Sequence, residues 1–357
     1  MPETRRPIVG AITFVAALGA TPTLGCGAGD DDAADAAGTS SATGAGATSG
    51  ASTGGGSTNG GAGGAGGAHA TGGATSSGSG GWTKEEAPSA ADLVAVWGSG
   101  PTDVYAIGID GTTLHSKGNG SWEAYASAPD DLRGLWGSGP DDVHAAGAHG
   151  HVYHQNGSHQ WALASSLADK TLFGLWGTGA ADVWTVGDFG TVGHSAGSGG
   201  WSPVEGAWQI RLGAIWGTSP TDFYTIGEID IMHWLGGVEP YYPENQPDMY
   251  FQFAAVWGSG PNDVYVVGDG GAILHSTGSG DWVKQDSHTT NPLGGIWGSS
   301  ATDIHVVGAA GTILHSSGDG QWAPQPNAFG FDLTSVWGSG PDDVYAVGGS
   351  GVILHGP

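Results

Sequence analysis

The chain has 357 residues and a formal net charge of −26, with 8 Lys and Arg against 34 Asp and Glu. Beyond Arg5 and Arg6 only Lys84, Lys117, Arg133, Lys170, Arg211 and Lys284 are basic, and they are scattered along the sequence. Binding to a phosphate backbone needs concentrated basic side chains, so nucleic acid is excluded as a partner, and a single cysteine excludes an internal disulfide.

Residues 1–25 read as an export signal. Arg5-Arg6 precede an apolar run from Ile8 to Ala20, which is too short for a stable transmembrane span. Thr23-Leu24-Gly25-Cys26 follows and resembles the bacterial lipobox. That resemblance implies acylation of Cys26, and Gly27 in place of Asp favours an outer-membrane or cell-surface destination. The membrane is then reached only through the lipid anchor.

Residues 26–80 are mostly Gly, Ala, Ser and Thr. They cannot bury apolar area, so a disordered tether is expected. A coil of this composition averages about 40 Å end to end.

Residues 81–357 carry a repeat. Trp-Gly recurs at Trp97, Trp136, Trp176, Trp216, Trp257, Trp297 and Trp337, every 39 to 41 residues. Each unit holds four short strand-like runs bounded by Gly, Pro or Asp; in the fifth these are Phe253–Trp257, Asp263–Gly268, Ala272–Ser276 and Trp282 onward. Four strands per forty residues is the signature of a β-propeller blade, so an all-β, seven-bladed propeller of four-stranded blades is expected. Four before each repeat Trp stands Leu or Phe, two before stands a small residue, and six after stands Asp, from Asp103 to Asp343. In the Gly-Ser-Gly-Pro turns this Asp is expected to accept turn N–H bonds. A second Trp comes 25 residues after the first at Trp122, Trp161, Trp201, Trp282 and Trp322. The seventh unit stops after three strands, whereas Trp82 stands 15 residues before Trp97. Trp82–Pro88 is therefore expected as the outer strand of blade 7, closing the ring and removing free edges.

The tract Ile273 to Trp282 resembles the Asp-box of BNR propellers, and with Asp263–Gly268 it is similar to the photosystem-II-assembly-factor-like repeat. The resemblance covers 82–357 and departs from the Asp-box at its aspartate, which is Gly at Gly118, Gly197, Gly278 and Gly318. It implies the propeller fold, which hosts sialidases, lectins and scaffolds alike. The Trp-Gly-Ser-Gly-Pro form is also similar to repeats of predicted exported bacterial lipoproteins.

No catalytic signature names a reaction. Sialidase chemistry needs three arginines, and only Arg133 and Arg211 remain after the signal. Ser195 stands in a Gly-x-Ser-x-Gly pattern, but within a strand tract and without the following helix a nucleophile elbow requires. Acids between second and third strands (Asp110, Asp188, Glu228, Asp230, Asp269) would need to face one another for glycan hydrolysis or lyase chemistry. One His per blade, from His115 to His355, reads as structural. No metal site and no cofactor are expected; His149 and His151, an i, i+2 pair, could supply two ligands, but no spacing motif is matched and they read as solvated loop histidines.

The Trp-Gly turns are nearly uniform among the repeats; the opposite face is not. It carries Arg133, Asp188, Phe189, Arg211 and the insert Glu239–Tyr250 with Tyr241, Tyr242 and Tyr250. Tyr-rich loops on a rigid scaffold suit recognition. These residues make the candidate ligand-binding face of a monomeric, non-enzymatic binding module for an envelope or extracellular protein, with a glycan-binding lectin as the alternative.

Overall fold

A computed structural model describes residues 76–77, 81–197, 200–204, 209–236, 240–241 and 251–357. The expected signal, Cys26 and nearly all of the tether lie outside these residues, as do Tyr242 and Tyr250. Among the described residues no helix is long and apolar enough to cross a membrane.

Each Trp-Gly motif lies in the first strand of a blade: Leu93–Gly100, Leu132–Gly139, Leu172–Gly179, Leu212–Ser219, Phe253–Gly260, Leu293–Ser300 and Leu333–Gly340. These seven strands contact one another in a ring, and a second, third and fourth strand extend antiparallel from each. The protein is a seven-bladed β-propeller. In blade 5 the four strands are Phe253–Gly260, Asp263–Gly268, Ala272–Ser276 and Trp282–Gln285. The fourth strand of blade 7 is Thr83–Glu85, paired with Ile353–Gly356 through Thr83↔His355, Lys84↔Leu354 and Glu85↔Ile353. A two-residue strand, Ser76–Ser77, adds outside it. Ordered pairing thus begins inside the stretch expected as tether, because the edge of Thr83–Glu85 offers it free backbone groups.

Neighbouring blades interlock through the repeat's own dipeptide. The Trp of each blade lies over the Gly of the next, so closely that a Cβ on that Gly would sit 2.6 Å from Cη2 of Trp337, Trp97, Trp216, Trp257 or Trp297 at Gly98, Gly137, Gly258, Gly298 and Gly338. Gly177 meets Trp136 at 2.9 Å. Only at Gly217 is the nearest side chain different: Phe223 stands closer there than Trp176. Outer tryptophans repeat the device with edge-on contacts to the preceding blade, as Trp122 on Tyr345, Trp282 on Tyr224, Trp322 on Tyr265 and Trp82 on His305. Blade 4 lacks such a Trp, and Phe223, stacked on the buried Trp234, covers Trp184 of blade 3 in its place.

Inside every blade the repeated Asp is held by side chains rather than by turn N–H groups as expected from the sequence. In blade 5 Asp263 Oδ1 bonds His275 Nε2 at 2.7 Å, and Oδ2 accepts from Ser259 Oγ at 2.6 Å. The same pair of bonds holds Asp103, Asp142, Asp182, Asp222, Asp303 and Asp343. The first strand makes this possible: a β-bulge between Gly258 and Gly260 leaves Ser259 out of register, free to turn its hydroxyl to the carboxylate. The His ring stacks on the aromatic residue two after the Asp, at 4.2 Å for Tyr265 and His275. The one-per-blade histidines are thus strand-to-strand ties.

The closing seam of the ring adds a further carboxylate. Glu85, 2 % exposed, bonds His355 Nδ1 at 3.1 Å and Trp122 Nε1 at 2.6 Å. Burial pulls the His355 imidazole down, but its bonds to Asp343 and Glu85 outweigh burial and push it up to about 9, from an ordinary 6.5.

Two predictions follow from the interlock and the seam. Gly298→Ala should cost about 1–3 kcal/mol by overpacking, whereas Gly260→Ala, with nothing within 4 Å of its Cβ, should stay within about 0.5 kcal/mol. Urea unfolding of the full chain measures both, and equal effects would remove the interlocking account. The His355 tie is charged below its folded pKa, so its contribution is complete below pH 6.5 and lost as pH rises through about 9. Thermal unfolding midpoints should decline across that window, and Glu85→Gln should flatten the decline; an identical profile in the variant would assign it to other groups.

Candidate functional site

The second and third strands of six blades join through a tight turn whose middle residue has left-handed backbone: Asp110, His149, Phe189, Gly270, Ala310 and Ser350, with φ between 54° and 65°. The following blade satisfies the exposed N–H in three cases, through Asp131 on Asp110, Asp332 on Ala310 and Asp92 on Ser350, at 2.7–2.8 Å. These aspartates stand five residues before the repeat Trp. In blade 4 that position is Arg211, so the turn of blade 3 faces a cation instead of a capping carboxylate.

Two further departures surround it. Phe189 holds the left-handed position at φ 55° and is 57 % exposed; a bulky residue costs about 1–2 kcal/mol there. Phe173, buried in the first strand of blade 3, carries the Arg211 guanidinium on its ring face at 3.9 Å. Arg211 Nε lies 3.9 Å from Asp188 Oδ1, and Nε and Nη2 are both buried without a hydrogen-bond acceptor. Burial lowers the Arg211 pKa against the pull of Asp188 and Glu228, and burial raises that of Asp188 against Arg211 and Lys170. Lys170 Nζ sits over the Phe189 ring at 4.5 Å.

Asp188, Phe189, Arg211 and Ile229, 46 % exposed, line a cleft of about 390 Å³ with Gln209, Ile210, Glu228 and Asp230. Apolar groups flank it, and a guanidinium with unused donors forms its wall. A second cleft, of about 340 Å³ between blades 5 and 6, has no Asp, Glu, Lys or Arg in its lining.

The structure therefore brings together Asp188, Phe189 and Arg211 of the expected face. Arg133 stands close enough to act on the Arg211 charge, but is paired with Asp131 at 3.4 Å. Tyr241 forms part of the fourth strand of blade 4, opposite His233. Of the acids between second and third strands, Asp188, Glu228 and Asp230 share the cleft, while Asp110 and Asp269 stand in the turns of blades 1 and 5. His149 and His151 each take a different carboxylate, Asp169 at 3.1 Å and Asp130 at 2.6 Å. Phe173, Lys170 and Ile229 were not among the sequence candidates. Phe173 was legible as the one aromatic at its position in the seven first strands.

Among the described residues, groups able to hold a metal ion lie elsewhere: Asp142, His144 and His154 in blade 2, and Asp303, His305 and His315 in blade 6. Both arise where the ring under the structural His is itself a His. Burial pulls the His305 imidazole down to about 4 against the attraction of Asp303. The sequence signal is Asp-x-His followed ten residues on by a second His, present in these two repeats only.

No protein-family profile matches the sequence, and no curated protein matches it. Solved structures do match in fold. A structure described as YCF48 bound to D1 peptide is 15 % identical with a TM-score of 0.65, covering 77 % of this chain and 96 % of its own. A catalytically inactive virginiamycin B lyase from Staphylococcus aureus with quinupristin is 13 % identical with a TM-score of 0.69, covering 77 % and 98 %. The WD40 propeller domain of Doa1 is 11 % identical with a TM-score of 0.63, covering 76 % and 94 %. At these identities what is shared is the propeller fold.

Proposed function

We propose that the protein is a non-enzymatic binding module that holds a segment of another envelope or extracellular protein in the cleft between blades 3 and 4. Arg211 carries the reading. In a chain of net charge −26, its two buried N–H groups without acceptors stand beside an aromatic side chain kept exposed in unfavourable backbone. An unmatched buried donor costs about 1–3 kcal/mol, and a backbone carbonyl or carboxylate of a bound segment would remove that cost. Phe189 and Ile229 offer the segment apolar surface, and strain at a site of this kind is a recognised sign of function. A propeller of similar fold described with a bound peptide supports the same use of the scaffold. The signal-like N-terminus and the lipobox-like Cys26 support export and lipid anchoring at the bacterial outer membrane or cell surface, with residues 26–80 as tether.

Selection of a random-peptide library against the full-length protein tests the reading. Selected peptides should lose at least about tenfold in affinity, or about 1.4 kcal/mol, in both Arg211→Gln and Phe189→Gly. The Gly variant should at the same time unfold about 1 kcal/mol later than wild type, because Gly accepts φ 55° without strain. Peptides indifferent to both changes would overturn the site. Specific binding on a glycan array that vanishes in Phe189→Gly would make the protein a lectin.

A further inference from the structure

Blades 2 and 6 break the repeat in the same way. The position two after the repeated Asp is Tyr in blades 1, 4, 5 and 7, Trp in blade 3, and His in these two, as His144 and His305. Each of these histidines lies under the His of the third strand, at 4.6 Å between rings for His144 and His154 and 4.8 Å for His305 and His315. The rings stay stacked in blade 2 and tilt by 53° in blade 6, and in both a second imidazole nitrogen is delivered to the same carboxylate oxygen.

In blade 6, Asp303 Oδ1 is 2.8 Å from His315 Nε2 and 3.4 Å from His305 Nε2. In blade 2, Asp142 Oδ1 is 2.8 Å from His154 Nε2 and 3.2 Å from His144 Nε2. The three ligand atoms of each group lie within 4.8 Å of one another. Ligands bonded at about 2.0–2.1 Å around a tetrahedral zinc ion stand roughly 3.3 Å apart, and the carboxylate–imidazole separations of 2.8–3.4 Å already bracket that spacing. The other carboxylate oxygen is already fixed, by Ser299 Oγ at 2.5 Å and Ser138 Oγ at 2.6 Å, which is the outer support metal-ligating carboxylates use.

His305 supplies an independent sign. It is 2 % exposed, yet neither ring nitrogen has a hydrogen-bond partner. His144 is 7 % exposed with Nδ1 unpartnered. Buried polar atoms are almost always satisfied, and here the unused nitrogen of His305 points at a carboxylate and a second imidazole. His315 and His154 are about one-third exposed, which gives an ion a way in and leaves its remaining positions to water or an external ligand.

We propose that Asp303, His305 and His315 form one site for a divalent transition metal of the zinc class, and Asp142, His144 and His154 a second. Two imidazoles and one carboxylate are borderline donors that suit zinc and its neighbours rather than calcium or magnesium.

Equilibrium dialysis of the full-length protein against Zn2+, with bound metal counted by elemental analysis, tests this directly. His305→Tyr and His144→Tyr install the residue that four other blades carry, so folding is preserved while one ligand is removed. Each single variant should bind one ion fewer than wild type, and the double variant two fewer. Zn2+ should raise the unfolding temperature of wild type and leave the double variant unchanged. Co2+ should quench tryptophan fluorescence in wild type, since Trp297 stacks 6.2 Å from His305 and Trp201 lies edge-on 6.0 Å from His144. Unaltered zinc stoichiometry in the double variant, or no binding by a folded wild type, would overturn the proposal.

Discussion

The interlock of Trp over Gly is the constraint on which the ring depends. The indole needs a surface without a Cβ, and the Gly beneath it belongs to the first strand of the next blade. Neither half of the dipeptide therefore serves its own blade alone: each Trp is specified by the Gly that follows it around the ring, and each Gly by the Trp that precedes it. Six such contacts, with Phe223 standing in at Gly217, set the spacing of the first strands. The burial of large aromatic area, at roughly 25 cal/mol per Å², then falls at the joints between blades, where a propeller would otherwise come apart. With one cysteine in the chain, no covalent brace does this instead.

The Ser/Thr–Asp–His ties work one level lower, within blades. Each links the first, second and third strands through side chains at a point where a bulge has interrupted backbone pairing. Charge-assisted bonds of this kind are stronger than neutral ones, and each carboxylate receives two of them. The rigid frame that results leaves the turns at the other end of the strands free to vary, which is where Phe189 and Arg211 depart from the repeat, whereas the two double-histidine clusters are variations on the ties themselves.

The period, the strand runs and the closing role of residues near Trp82 were legible because they are one-dimensional: a fixed interval, alternating polarity, and a unit cut in two by the chain ends. The exposed Phe189 and the inverted charge at Arg211 were legible as departures from the repeat. Their joint meaning was not, since Phe173 supports Arg211 from another blade and no spacing rule connects them. Asp188 was readable as a turn acid; that it would share a cleft with Glu228 depends on the angle between two blades. Of the insert Glu239–Tyr250, which reads as a surface for recognition, only Pro240 and Tyr241 lie among the described residues, and their backbone continues the sheet of blade 4. The double histidines were hidden by their own regularity, because His154 and His315 match the structural His of every other blade.

The seam at Thr83–Glu85 has a consequence in time. The strand joins Ile353–Gly356, and Thr83 Oγ1 bonds the His355 carbonyl across 272 positions of sequence. During synthesis the first strand of the propeller is made before any blade exists, and its partner is the last to appear. The six complete blades can stack as they emerge, but the ring stays open until Ile353–Gly356 arrives. Long-range closure of this kind is slow, so the half-built molecule must carry an unpaired edge on its seventh sheet and an unfilled place beside Trp122 throughout its assembly. Glu85, poised between His355 and Trp122, acts as the latch that ends that exposure.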